Sequence, residues 1–290
     1  MLKKALKFTI IVVASVTALV VILYMIVYYS TEARINKKYN VKLQQLVIPT
    51  DSASYLAGKH IAENRGCLGC HGKNLAGGQV FFSDSTPLGF LAASNITGGK
   101  GGTQYKDEDW IRVLRHGLNK QNTSVWFMPS HEVAHLSNQE MGQLISYVKT
   151  KPPVDKTTPP RHLKTLGRIL LFLNQFPLLP AELIDHNAVY SQSVSTAVSA
   201  QYGGYLSTTC QGCHGSKLQG GPAHSPNEPK IPNISSTGNI GKWKEEEFIT
   251  AIKTGIRPDG SKLNDAMPYK EFTYNEDELK SIYLFLQQVK

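Results

Sequence analysis

Four cysteines and two histidines carry the chemistry that can be read from this chain. Cys67-x-x-Cys70-His71-Gly72 recurs as Cys210-x-x-Cys213-His214-Gly215, 143 residues later. The two motifs use all 4 cysteines of the 290 residues, leaving none for a structural disulfide or a thiolate ligand elsewhere. Two thiols two residues apart with an adjoining imidazole could hold a zinc ion, a redox disulfide or a haem. Zinc takes four ligands, typically Cys and His at fixed spacings. Each half offers only a cysteine pair and a histidine whose neighbouring side chain points the other way. A thioredoxin-like pair needs a strand–motif–helix context, which the flanking glycines and short helices do not provide. Haem employs all three residues: the thiols bond covalently to the porphyrin vinyl groups, and the imidazole ligates iron.

On this reading His71 and His214 bind iron through Nε2, and each Nδ1 donates to a backbone carbonyl that fixes the tautomer. Gly72 and Gly215 let the backbone leave the haem edge tightly. The sixth ligand is expected from Met128 and Met267, which lie 57 and 53 residues after their histidines, each followed by proline. Proline stiffens such a loop, and a thioether ligand raises the reduction potential. Met141 falls at helical spacing and reads as core filling. His116, His131 and His135 are candidates to replace or accompany Met128, but have no counterparts in the second half and read as surface residues. Asn95 and Asn233 occupy matched positions and are expected to anchor haem propionates. Arg115 and Lys253 also match; they could neutralise a propionate, and read equally well as exposed helix positions.

Positioning falls to a duplicated set of elements. At an offset of 138, Asn95-Ile96-Thr97 matches Asn233-Ile234-Ser235, and Trp110, Ile111, Leu114 and Gly117 match Phe248, Ile249, Ile252 and Gly255. Acidic starts at Asp107-Glu108-Asp109 and Glu245-Glu246-Glu247 suit the positive end of a helix dipole. Ser137-x-x-Glu140 resembles a capping box, with Asn275-x-x-Glu278 as its equivalent. Met141, Leu144, Ile145 and Val148 then repeat as Leu279, Ile282, Tyr283 and Leu286. The first copy carries five extra residues between motif and asparagine. The chain therefore divides into an N-terminal span (1–30), a spacer (31–51), a first domain (52–153), a linker (154–187) and a second domain (188–290). The linker starts with proline-rich extended chain and continues as an apolar run broken by Arg168, Asn174, Pro177 and Pro180. It is expected to pack on the domains or to rest on a membrane surface.

Phe8 to Tyr29 is 22 residues without a charge, long enough as a helix to cross a hydrocarbon core of roughly 30 Å. The run is longer than the apolar core of a signal peptide and ends in no small-x-small cleavage site, so an uncleaved anchor is expected. Lys3, Lys4 and Lys7 precede the span, while Arg34, Lys37, Lys38 and Lys42 follow it, so charge leaves the orientation nearly tied. The formal charge of +9 is uneven: residues 1–29 carry +3, residues 30–160 carry +5 and residues 161–290 carry +1. Lysines are scattered, with no basic stripe interleaved with aromatics, which excludes a nucleic-acid role.

CLGCHGKNLAGG, TPLGFLAASNITGG, DEDWIRVLRHGL, FMP and KPPV in the first half, with CQGCHGSKLQGG, PNIS, EEFITAIKTGIRPDGSKL and AMP in the second, resemble tandem dihaem class I c-type cytochromes. The likeness covers roughly residues 52–290. Such patterns are similar to cytochrome subunits of membrane-bound bacterial alcohol and sugar-acid dehydrogenases, which generally have three haem domains where this chain has two. The resemblance implies an all-α fold of two tandem domains, each a few short helices around one covalently bound haem c. It also implies an electron-transfer role with haem attachment on the outer, periplasmic side of the cytoplasmic membrane, which settles the orientation. The expected partners are a dehydrogenase, a quinol-oxidising complex or a terminal acceptor. Two six-coordinate haems favour a carrier without catalysis of its own. A dihaem enzyme of peroxidase or thiosulfate-oxidising type needs one open or displaceable ligand, with Met128 the more divergent loop. A haem-based sensor is disfavoured, because only seven residues precede the span.

Overall fold

The computed structural model describes residues 2–223 and 229–290. The chain is mostly helical. Helix α1 (Leu2–Ile35) carries the uncharged run, and among the described residues it is the one helix long and apolar enough to cross a membrane. The first copy contains α2 (Ser52–Asn64), α3 (Cys67–His71), α4 (Asp107–His116), α5 (Ser130–Val133) and α6 (Asn138–Lys149). Strands β1 (Val80–Phe82) and β2 (Gly89–Ala92) lie between α3 and α4. After α6 come β3 (His162–Leu163) and α7 (Thr165–Phe172). The second copy contains α8 (Ala200–Leu206), α9 (Thr208–His214), α10 (Glu245–Thr254) and α11 (Glu276–Leu286).

Helix ends follow local chemistry. Asp109 Oδ2 accepts from Lys106 N at 3.1 Å and Glu247 Oε2 from Lys244 N at 2.7 Å, so matched carboxylates close the first turns of α4 and α10. Both helices stop at a left-handed glycine, Gly117 (φ 63°) and Gly255 (φ 75°), a conformation costly to residues with a Cβ. The capping boxes form as expected: Ser137 Oγ accepts from Glu140 N at 3.2 Å, and Asn275 Oδ1 from Glu278 N at 2.9 Å.

In each copy the first helix crosses the last one closely. A Cβ on Gly58 would lie 2.0 Å from Gln143 O, and one on Gly203 only 1.8 Å from Ser281 O, so a larger residue would force the helices apart. The apolar periodicity read from the sequence lines the two cores. Trp110, Ile111, Leu114, Met141, Leu144, Ile145 and Val148 are buried in the first; Phe248, Leu279, Ile282 and Leu286 in the second.

Among the described residues, a third core has no counterpart in the second copy. The extra residues after the first motif form the β1–β2 hairpin, and β3 from the linker completes an antiparallel sheet in the order β1-β2-β3. Val80 faces Ala92 and Phe82 faces Leu91, while Gly89 faces Leu163. Phe82, Leu91, Leu163, Leu171, Leu178 and Leu179 are buried together, with Ile35 from the end of α1 and Trp126 packed against them. The apolar linker thus covers the first-copy insertion.

Two sequence readings need correction. Arg115 is 1% exposed: its guanidinium donates to the carbonyls of Ala134 and Leu136, and at 2.9 Å to Asn138 Oδ1. His116 is likewise buried, with its Nδ1 3.2 Å from His186 Nδ1, because the linker folds over the end of α4. His131 and His135 are half-buried rather than fully exposed.

Candidate functional site

Both motifs fold the same way down to the hydrogen bond. Each is a short helix ending at a glycine of positive φ, Gly72 at 75° and Gly215 at 77°. The next turn places Leu75 at φ 58° and Leu218 at φ 56°. His71 O accepts from Gly77 N at 2.8 Å, and His214 O from Gly220 N at 2.9 Å. His71 Nδ1 donates to Ser94 O and His214 Nδ1 to Pro232 O, both at 2.8 Å. Those carbonyls belong to the residues just before Asn95 and Asn233. The asparagine segments therefore set the histidine rings, each protonated on Nδ1 and presenting Nε2 as its lone-pair nitrogen. Burial holds both imidazoles below the usual histidine range, favouring the neutral form that binds metal.

The thiols are not poised as thiolates. Burial pushes Cys67 up to about 12 and Cys210 up to about 11, and also raises Cys70. A reactive redox pair or zinc-binding thiolate needs the opposite shift. Among the described residues, no three His, Cys, Asp or Glu side chains converge as a metal cluster would require. Two thiols beside a fixed, neutral imidazole suit a covalently held haem.

The methionine loops match as well. Pro129 (φ −76°, ψ 52°) and Pro268 (φ −81°, ψ 41°) have the same conformation and cap α5 and a 3₁₀ turn at Tyr269–Glu271. Met128 O accepts from Ser130 N at 2.7 Å and Met267 O from Tyr269 N at 2.8 Å. Met128 packs on the same core as Cys67. The residue before it, Phe127, is held at φ 58° with its amide donating to Leu178 O of the linker at 2.7 Å. Met267 is half-buried in a more exposed loop.

The asparagines diverge. Asn95 is 1% exposed, and its amide donates to Val154 O at 2.7 Å and Lys156 O at 3.1 Å, while its Oδ1 accepts from Thr97. Both amide hydrogens are engaged with the chain leaving α6, so Asn95 here staples that chain. Asn233 is half-buried and donates to Thr237 Oγ1 at 3.1 Å, with Oδ1 accepting from Ser235 N.

How the two motifs meet is not legible from their spacing. Arg65, two residues before Cys67, donates to Thr208 Oγ1, to Thr209 Oγ1 at 3.0 Å and to Tyr205 O at 3.3 Å, directly ahead of Cys210. Its positive charge is felt at both Cys67 and Cys210. Glu132 in α5 faces α9: a Cβ on Gly212 would meet its Oε1 at 2.6 Å. Burial raises Glu132 to about 7 against the pull of Arg65. Beside Arg65 lies a cavity of about 280 Å³, also lined by His60, Glu140, Tyr202, Tyr274 and Glu278. An isolated arginine before a motif resembles any surface cation, and only the docking of the copies reveals its place.

The cytochrome c family model matches residues 55–151 and 202–290. The chain is 24% identical over 270 residues to the cytochrome c subunit of the quinone alcohol dehydrogenase of Gluconobacter oxydans (strain 621H), covering 82% of this chain and 55% of that one. It is 38% identical over 91 residues to the fructose dehydrogenase cytochrome subunit of Gluconobacter japonicus, covering 28% and 19% respectively. The chain thus spans about half the length of the first of these curated relatives, and less of the second.

Proposed function

Because the chain belongs to the cytochrome c family, and such domains transfer electrons through covalently bound haem c, we propose that it is a membrane-anchored carrier with two haems. Cys67 and Cys70 hold one and Cys210 and Cys213 the other. His71 and Met128 would ligate the iron of the first, His214 and Met267 that of the second, and Asn233 would donate to a propionate. When bound, haem supplies a one-electron iron couple. The protein's part is to fix the imidazoles through Ser94 O and Pro232 O, to hold the thioethers on proline-stiffened turns, and to bring the motifs together at Arg65. The observation carrying this reading is the pair of equal 2.8 Å bonds from His71 and His214, made to carbonyls at matched chain positions.

The partner is proposed to be a dehydrogenase, since both relatives are cytochrome subunits of dehydrogenases; a quinol-oxidising complex or a terminal acceptor could occupy the other end of the route. The anchor is α1, with both haem domains on the outer, periplasmic face of the cytoplasmic membrane. Domain limits of 52–153 and 188–290 follow from the matched elements.

Mass spectrometry of the denatured chain, with reduced-minus-oxidised spectra under carbon monoxide, tests the proposal. Two covalent haems and no carbon monoxide binding are expected. Absence of covalent haem would overturn the reading, and strong binding at one haem would turn it toward the dihaem enzyme.

A further inference from the structure

Helix α7 buries one face and leaves the other bare. Gly167 and Leu171 turn into the third core, where a Cβ on Gly167 would lie 2.4 Å from Leu88 O. Leu166, Ile169, Leu170 and Leu173 follow the i, i+3, i+4, i+7 spacing of a single stripe. Leu166 is 39% exposed and Leu173 54%, with Ile169 and Leu170 half-exposed, and Phe172 beside them is 37% exposed. A soluble helix would put polar residues there.

The position of α7 says what covers it. Arg168 donates to Thr31 Oγ1 at 3.0 Å and pairs with Glu32 at 2.6 Å, and its guanidinium lies 4.3 Å over the ring of Tyr28. Arg34 donates to Leu171 O at 2.6 Å and pairs with Glu182 at 2.7 Å. Tyr28 belongs to the uncharged run, and Glu32 lies three residues past its end at Tyr29. At about 1.5 Å per residue, α7 is therefore fixed within roughly 5 Å of the hydrocarbon boundary. Charges at that depth are neutralised in pairs, as a region of lowered dielectric demands. Lys37 and Lys38, both exposed, follow directly and suit anionic headgroups.

We infer that the Leu166–Leu173 stripe of α7 inserts into the outer interfacial layer of the bilayer that α1 spans, as a second, in-plane membrane contact. The first haem domain then stands against the membrane in one orientation, with the second domain beyond it. This rests on the reading of α1 as an anchor.

The test uses the full-length holoprotein, its native cysteines occupied by haem, in phosphatidylethanolamine/phosphatidylglycerol vesicles. Single spin labels are placed at Leu166→Cys and Leu173→Cys, with Val20→Cys as the span reference and Val189→Cys (94% exposed) as the aqueous one. At both α7 sites the expected result is loss of collisions with a water-soluble nickel chelate and gain with oxygen, to levels between the two references. Labels at both sites as nickel-accessible as Val189→Cys, with Val20→Cys still shielded, would overturn the inference and leave the anchor standing. A nickel-accessible Val20→Cys label would overturn both.

Discussion

His60 Nε2 lies 2.8 Å from Glu278 Oε1, joining the first helix of one copy to the capping carboxylate of the last helix in the other. The contact is reciprocated: the Tyr205 hydroxyl of α8 donates to Glu140 Oε2, the matching cap of α6. Each glutamate thus closes its own helix and latches the opposite domain. The two domains meet through equivalent elements, in an approximately two-fold exchange.

The first prediction concerns this latch. Glu278 holds the His60 imidazolium above the usual histidine range, outweighing partial burial. A raised folded pKa means the stabilisation is complete below about pH 6.5 and fades as pH rises through the folded value. His60→Ala should cost roughly 1 kcal/mol at pH 6, allowing for solvent screening, and less at pH 9. Denaturant titrations at both pH values check this; equal losses would contradict it.

Arg65 should matter for electrons more than for folding. Its cation sits between the motifs and, with a haem at each as proposed, would favour the reduced, less positive state of both. Arg65→Met should lower both midpoint potentials by an amount of order 1 kcal/mol, or roughly 40 mV for a one-electron couple. Potentiometric titration reads this directly. Unchanged potentials would remove Arg65 from the redox site.

The distal assignment predicts an asymmetric pair of variants. Met267→Ala should open one haem to carbon monoxide while leaving half the low-spin spectrum intact. Met267→His should restore the closed, low-spin form at a lower potential. A fully low-spin, carbon monoxide-inert Met267→Ala protein would rule out that ligand.

Acid should loosen the linker. Burial, the neighbouring His186 and the Arg115 and Arg112 cations bring His116 down to about 4. With the folded value below the unfolded one, stability is full above about pH 6.5 and declines as pH falls toward 4. The loss should reach up to about 2 kcal/mol once solvent screening is allowed for. Thermal melts of His116→Gln should show a flatter acid limb than the parent; identical slopes would count against it.

The duplication was legible because capping and periodicity are local: the acidic starts, the Ser137 and Asn275 caps and the apolar stripes all formed where their spacing placed them. The histidine tautomer is also legible from the motif, although its acceptors at Ser94 and Pro232 are not. What escaped was non-local. The extra residues after Cys70 show no strand pattern strong enough to read, and their hairpin is stabilised by the linker strand 72 to 74 positions away. Arg115 and His116 looked like surface residues because α4 ends in charge, and only the folded linker buries them. Asn95 matched Asn233 in sequence, but Val154 and Lys156 take up its amide in the first copy alone.

Ile35, the final residue of α1, packs in the same core as Leu171 and Phe82. A haem domain hung on slack chain would sweep a wide shell of solvent and meet partners in any pose. On the proposed reading of α1 as a membrane helix, one welded to that helix can turn only about its axis and drift in the plane. Its redox faces then keep a constant altitude, so partners are selected by stature as well as by charge.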